Sequence, residues 1–216
     1  MNQEIQNSLM YWENYYRNNN QEAIIYDNWL DVYIEKINKT QNPILDLGCG
    51  SGNDTLYLIK YGKQVIPCEQ SPNAINGIIE KFPEVTEAHC FNMLDGLPFK
   101  SESFDVIVAD LCLHYFLKED TKRIVSEIER VLRPCGCLLF RVNSIHDINH
   151  GAGQGQEMEP HLYLTSDGRY KRFFDEKDIR YFFGNFEIED ICEETMVRYR
   201  LEKKLYKGCA RKANIS

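Results

Sequence analysis

"ILDLGCGSGNDT", residues 44–55, sets an apolar run against three glycines at alternate positions, Gly48, Gly50 and Gly52. The run "NPILDLG" (42–48) is short, apolar and closed by glycine, as a buried strand is. The next segment, "DTLYLIKYG" (54–62), carries apolar residues at helical spacing and stops at Gly62, which predicts a C-cap. Glycine admits positive φ and lets backbone approach a ligand with no Cβ between them. The free N–H groups of a helix starting near Asp54 face the same crevice. The stretch therefore reads either as a structural turn or as the cradle of a nucleotide-like ligand.

Outward from it, strands and helices alternate. "KQVIPCE" (63–69) is a second strand, and "SPNAINGIIEKF" (71–82) opens with Ser71 and Pro72, an N-cap and first-turn pair. "VTEAHCF" (85–91) is a third strand, and "SFDVIVADLCLHYF" (103–116) contains a fourth. "KEDTKRIVSEIERVLRP" (118–134) is an amphipathic helix that stops before Pro134, and "GCLLFRVNS" (136–144) is a fifth strand. This alternation predicts a parallel sheet covered on both faces. "FEIEDICEETMVRYRLEKKLYKGCARK" (186–212) reads as two strands with no helix between them, an antiparallel edge hairpin. Residues 4–17 and 22–38 read as aromatic-rich helices split by Asn18, Asn19 and Asn20. Residues 145–172 lack periodicity and read as a long loop, a kind of segment that often carries function.

Composition narrows the classes. A chain of 216 residues with 43% hydrophobic residues suits one domain, or one domain with a small appendage. A formal net charge of −8 argues against a general nucleic-acid binder, although it does not report where the cations lie. No targeting segment and no membrane-length apolar run is visible. The eight cysteines are scattered, mostly within apolar runs, which predicts buried thiols in a cytoplasmic protein. Cys135 and Cys137 form C-x-C rather than C-x-x-C, so no metal site is read there.

Two acids sharpen the glycine turn. Asp46, two residues before the first glycine, would repel a pyrophosphate but suits a cationic ligand. Glu69, at the end of the second strand, is placed to accept both hydroxyls of a ribose. A ribose ligand without phosphates and with a positive charge nearby describes S-adenosylmethionine. At these residues "ILDLGCGSGNDTLYL" resembles the first motif of the class I S-adenosylmethionine-dependent methyltransferases, and "VIPCEQSP" their second. "GLPFKSESFDVIVADLCLHYF" is similar to the family's fourth-strand region, and "EIERVLRPCGCLLF" to the helix and turn before its fifth strand, with Cys135 and Cys137 where glycines are usual. "YWENYY", "GSGNDTLYL" and "HDINHGAGQG" are similar to a small-molecule branch near the tellurite-resistance and thiopurine-type enzymes.

The resemblance implies a Rossmann-like α/β fold: a mostly parallel seven-stranded sheet, an antiparallel C-terminal hairpin and helices on both faces. It divides the chain into an N-terminal helical lid (1–40) and a cofactor-binding domain (41–216). Asp46 corresponds to the acid holding the cofactor's amino end, Gly48, Gly50 and Gly52 to the turn glycines, and Glu69 to the ribose acid. Gln70 would flank the adenine, Asn92 or Asp95 would meet its amino group, and Met93 and Leu94 would touch the ring. Asp110 and Leu111 correspond to residues lining the methionine end.

The acceptor side must come from strand ends and the loops after them. His114 and Tyr115 follow the fourth strand, as catalytic or as packing residues. His146 and His150 head the candidates in the long loop, beside Asn143, Asn149, Glu157, Glu159 and His161. A metal site from His146, His150 and His161 is disfavoured by the loop's glycines. Tyr11, Trp12, Tyr15 and Tyr16 offer aromatic faces to a sulfonium, or to the core. Arg169, Lys171 and Arg172 read as a solvated strand face, or as a lure for an anionic substrate. The resulting expectation is a cytoplasmic methyltransferase using S-adenosylmethionine on a small molecule, with no metal, no membrane partner and nucleic acid disfavoured. A protein or RNA acceptor met by the basic tail (Lys203, Lys204, Lys207, Arg211, Lys212) and a non-catalytic cofactor-binding module are the alternatives. The sequence leaves the oligomeric state open.

Overall fold

In a computed structural model the described residues are 3–19, 24 and 26–214. The chain opens with α1 (Gln3–Asn19); a 3₁₀ turn (Trp29–Tyr33) then runs into α2 (Ile34–Lys39). There follow β1 (Ile44–Leu47), α3 (Asn53–Lys60), β2 (Val65–Glu69), α4 (Pro72–Lys81), β3 (His89–Cys90), β4 (Phe104–Asp110), α5 (Lys118–Val131) and β5 (Leu132–Asn143). The second half holds β6 (Gln156–Glu159), β7 (Leu162–Leu164), β8 (Tyr170–Arg172), α6 (Glu176–Phe182), β9 (Phe186–Met196) and β10 (Lys203–Lys212).

Among the described residues, seven strands form one sheet in the order β3-β2-β1-β4-β5-β10-β9. β3, β2, β1, β4 and β5 are parallel neighbours; β10 runs antiparallel to both β5 and β9. The chain winds outward from β1 to β3, then crosses back to β4 on the other side. The β1/β4 boundary is thus a topological switch point, where open α/β sheets bind ligands.

Strand alternation sends successive residues to opposite layers. Leu45, Leu47, Ile107, Ala109 and Phe140 meet α5 through Ile124 and Ile128, and α6 and its C-cap through Ile179 and Phe183. Ile44, Val106, Val108 and Leu139 meet Trp29, Leu30, Tyr33 and Ile37, with Tyr57 and Leu58 of α3. The stretch 29–39 is therefore built into the core, and of residues 1–40 it is α1 that stays outside: α1 buries none of its residues. The expected helix over 22–38 is formed as Trp29–Lys39; its residues 22, 23 and 25, and Asn20 of the polar break, lie outside the described residues.

Local signals set most boundaries. Ser71 accepts from the Ala74 N–H with Pro72 following, and Gly62, at φ +72, closes α3. Two expectations change. β5 starts at Leu132, with Pro134 inside it: the register jumps from Phe104↔Leu132 to Val106↔Cys137, and Cys135 takes φ +63 to carry the bulge. Residues 145–172 are not a structureless loop, because β6, β7 and β8 pair antiparallel as a small second sheet.

The ring of Phe183 stacks on Phe140 at 4.5 Å between centroids, both fully buried. Phe183→Ala is expected to cost about 3–5 kcal/mol of stability, read as a lower urea midpoint. A loss below about 1 kcal/mol would mean that the core collapses around the gap.

Candidate active site

The carboxyl ends of β1, β2 and β4 open into a cavity of about 580 Å³. At one end lie the glycine turn and its acids. Gly48, Gly50 and Gly52 all have left-handed φ, yet they serve different ends. A Cβ on Gly48 would strike the Cys112 side chain at 2.5 Å; one on Gly50 would lie 2.7 Å from the Tyr16 hydroxyl, over the cavity. Gly52 does not line the cavity: a Cβ there would strike Ile78 and Phe82, so it is glycine in order to seat α4 against the turn.

Asp46 is buried and accepts the Thr55 hydroxyl at 2.5 Å. Burial, reinforced by the nearby Asp110 and Glu69 charges, pushes its carboxyl up to about 7. Glu69 accepts the N–H groups of Gln70 at 2.7 Å, Gly50 at 3.3 Å and Ser71 at 3.4 Å. Burial raises its pKa against those bonds. Gln70, Asn92 and Met93 line the same end, whereas Asp95 does not. The Asn92 amide oxygen also caps the following turn by accepting from the Leu94 N–H at 3.0 Å.

At the end of β4, Asp110 is gripped by Arg141 through two bonds of 2.7 Å. Burial pushes its pKa up, but Arg141 and Arg198 outweigh that and hold it below the usual carboxylate range. The Arg141 guanidinium, only 1% exposed, also reaches Asp27 at 2.8 Å and lies over the Trp29 ring. Trp29 in turn donates to Asp54 at 2.9 Å. Leu111, next in line, holds a left-handed φ of +52 for a branched residue, with its N–H on the Arg141 carbonyl.

The other end of the cavity has the opposite sign. His114, Tyr115, His150, Arg169, Lys171, Arg198 and Lys203 line it. His114 is buried with no partner at Nδ1, and burial beside Lys203, Lys171 and Arg169 keeps its ring neutral. Burial likewise raises the Tyr115 phenol. The buried Asp147 accepts from His150 Nδ1 at 2.8 Å and from the Lys203 ammonium at 2.7 Å. His146 is absent from this end: it is exposed, paired with Glu193 at 2.7 Å, and faces a separate hollow. His161 pairs with Asp178 at the start of α6, so the three loop histidines do not converge. Asp175, Asp178 and His161 do come close together, but the two acids form the capping box of α6.

Helix α1 lies along the mouth. Glu13 accepts from Ser71 and Asn73 at the start of α4, and Asn7 donates to the Gly168 carbonyl at 3.0 Å. Arg169 lies 3.4 Å over the Tyr11 ring, and Trp12 meets Tyr115 edge-on at 5.6 Å. Arg141, Arg198, Tyr199, Asp54 and Asp147 are the site residues that sequence reasoning missed. Arg141, the cation that interrupts the apolar run 137–142, is the available signal.

Residues 45–140 match the family model of the methyltransferase domain. Residues 45–140 thus form a methyltransferase domain, on a sheet with the fold of the class I S-adenosylmethionine-dependent methyltransferases. Its cofactor is accordingly S-adenosylmethionine, and the seven-stranded sheet with its antiparallel strand is the fold of that class. A tRNA N(3)-methylcytidine methyltransferase, Mettl2 of Drosophila melanogaster, is 31% identical over 76% of this chain and 54% of its own length. The chain thus spans about half the length of the curated relatives it matches. The 1,6-didemethyltoxoflavin-N1-methyltransferase of Burkholderia thailandensis superposes with a TM-score of 0.69 at 18% identity, over 99% of this chain and 92% of its own. TehB of Haemophilus influenzae gives 0.64 at 16%, over 93% and 67%. At these identities both show the fold alone. No described helix is long and apolar enough to cross a membrane.

The acid end makes stability depend on pH. An unfolded Asp46 ionises from about pH 4, the folded one only near about 7. The folded state therefore binds more protons between those values, and stability falls as pH rises through that window. Asp54 is shifted in the same direction. Asp46→Asn is expected to reduce the slope of the urea midpoint against pH between about 4 and 7; an unchanged slope would contradict the shielding described.

Proposed function

We propose that the cavity takes S-adenosylmethionine at its acidic end and a small methyl acceptor at its basic end. The observation that carries this reading is that a single cavity runs from Glu69 and the glycine turn to His114 and His150. When bound, the cofactor supplies a methyl group on a positively charged sulfur. Glu69, already oriented by three backbone N–H groups, keeps lone pairs for the ribose hydroxyls. Gly50 lets the backbone approach, Gly48 seats the turn on Cys112, and Asp46 favours the cationic end of the ligand. Gln70, Asn92 and Met93 flank the adenine, and Leu111 lines the methionine end. Asp110 acts there through Arg141, to which its oxygens are committed.

At the acceptor end, His150 turns Nδ1 to Asp147, which leaves Nε2 to take a proton from an acceptor that must lose one. His114 and Tyr115 orient the acceptor. Helix α1 is the lid over both ends, excluding water with Trp12 and Tyr16. The free state of all eight cysteines supports a reducing, cytoplasmic setting. The tRNA-modifying relatives favour a second reading, in which a base presented by RNA enters the same acceptor end.

Calorimetric titration with S-adenosylmethionine, S-adenosylhomocysteine and NAD tests the cofactor half. Binding of the first two and not of NAD is expected, weakened in Glu69→Ala by about 1–3 kcal/mol. Equal affinity in the variant would remove Glu69 from the ribose role; no binding of either sulfur nucleoside would end the reading. RNA retention that weakens steeply with salt would move the acceptor to the second reading.

A further inference from the structure

The acceptor end carries a positive charge that the protein does not neutralise. Its cations come from three separate segments: Arg169 and Lys171 beside and within β8, Arg198 in the β9–β10 turn, and Lys203 at the start of β10. Most of them are paired. Lys203 meets Asp147 at 2.7 Å, and Arg169 meets Asp167 at 2.7 Å. Arg198 and Arg141 share Asp110, and Arg141 also holds Asp27. Lys171 is the exception. Its ammonium donates to the His150 carbonyl at 2.7 Å, and among the described residues no carboxylate lies within ion-pair distance of it.

A half-buried ammonium facing a cavity, with a carbonyl and the Phe173 ring 5.5 Å away but no paired carboxylate, is costly to hold. Its ionised form is weakened: burial, with Lys203 and Arg169 adding and the more distant Asp147 and Asp167 charges opposing, brings its pKa down to about 8. Two further polar groups at this end also lack partners, His114 Nδ1 and Arg198 Nη1, both buried. The surroundings are flat and apolar: Trp12, Tyr115, Phe116 and Tyr199 line the same space. A chain of net charge −8 has thus gathered cations and open donors inside one aromatic-walled pocket. That arrangement is built for an anion, since a neutral or cationic guest would leave the Lys171 charge unanswered.

Resting on the methyltransferase reading above, we infer that the acceptor is a small flat molecule carrying a carboxylate or a phosphate, and that Lys171 receives that anionic group. Arg169 and Lys203 frame the anion, and the aromatic walls hold the body of the molecule. Carboxylate and phosphate share this chemistry, so the probes must separate them.

The test uses the full chain saturated with S-adenosylhomocysteine and titrates benzoate, phenyl phosphate and neutral benzamide by calorimetry. The expected result is that benzoate or phenyl phosphate binds at least tenfold more tightly than benzamide; whichever binds better identifies the anion. Lys171→Met, which keeps the apolar stem, is expected to erase that preference, and Lys171→Arg to keep it. S-adenosylhomocysteine affinity, measured separately, is expected to be unchanged in both variants; this shows that the fold stands and keeps the cofactor reading apart from this one. Equal binding of benzoate, phenyl phosphate and benzamide would overturn the inference, as would an anion preference that survives in Lys171→Met. Binding of a single-stranded RNA oligonucleotide, with none of the three small probes bound, would overturn it in favour of a nucleic-acid acceptor.

Discussion

The Arg141 guanidinium is the interaction on which the carboxyl edge of the sheet depends. It is shut away from water on β5 and holds Asp110 of β4 with two parallel bonds. It also takes Asp27 from the N-terminal segment and lies against Trp29, which bonds Asp54 at the start of α3. The tip of the β9–β10 hairpin joins through Arg198. Five separate segments are thereby fixed by one planar cation, whose fork can satisfy several carboxylate oxygens at once. Removing it would leave Asp110 with Arg198 alone and would free the part-exposed Asp27 from the sheet. The cavity floor owes its shape to this network as much as to the glycine turn.

What the sequence made legible was local. An apolar run closed by glycine, a Ser-Pro helix start and a glycine helix stop each report on a few adjacent residues, and each appears in the fold where expected. Less was legible where distant partners decide. β5 begins before Pro134 because a bulge absorbs the proline, and that bulge exists only against β4. The small sheet of β6, β7 and β8 leaves little periodic signal, because its strands are three or four residues long and two of them carry charged positions. Near the N-terminus, Trp29, Leu30, Tyr33 and Ile37 sit at spacings that suit a helix, but a 3₁₀ turn supplies the first three to the core.

The site divides in the same way. Its acid end lies within two short motifs, so Asp46, Gly48, Gly50 and Glu69 could be named together. Gly52 was grouped with them because its role against α4 depends on Ile78 and Phe82, which the motif does not contain. The basic end is assembled by topology. Antiparallel insertion of β10 beside β5 carries Lys203 and the Arg198 turn to the carboxyl edge, and β8 brings Lys171 across from the second sheet. In sequence these cations look like solvated strand faces. His146 and His150 are four residues apart, yet the backbone turn between them sets His150 on Asp147 with its ring at the cavity and His146 on Glu193 outside it.

Opposite charges at the two ends of one cavity constrain how it can work. Asp46, Glu69 and Asp110 at one end and Lys171 and Lys203 at the other attract each other more strongly as water leaves, because the dielectric falls. Empty and closed, the cavity would favour protonated Asp46 and Glu69, the direction in which burial already pushes both, while Asp110 stays ionised on Arg141 and Arg198. A cation at that end and an anion at the other reverse this, each meeting the charge turned toward it. Helix α1 lies along their mouth without burying a residue of its own, held by Glu13, Asn7 and the Arg169–Tyr11 stack. Contacts of that kind can be undone at small cost while the core stays intact. The fold thus combines a buried floor that sets the charges with an outer helix held by few contacts, and the Arg169 side chain belongs to both, lining the basic end while it lies against that helix.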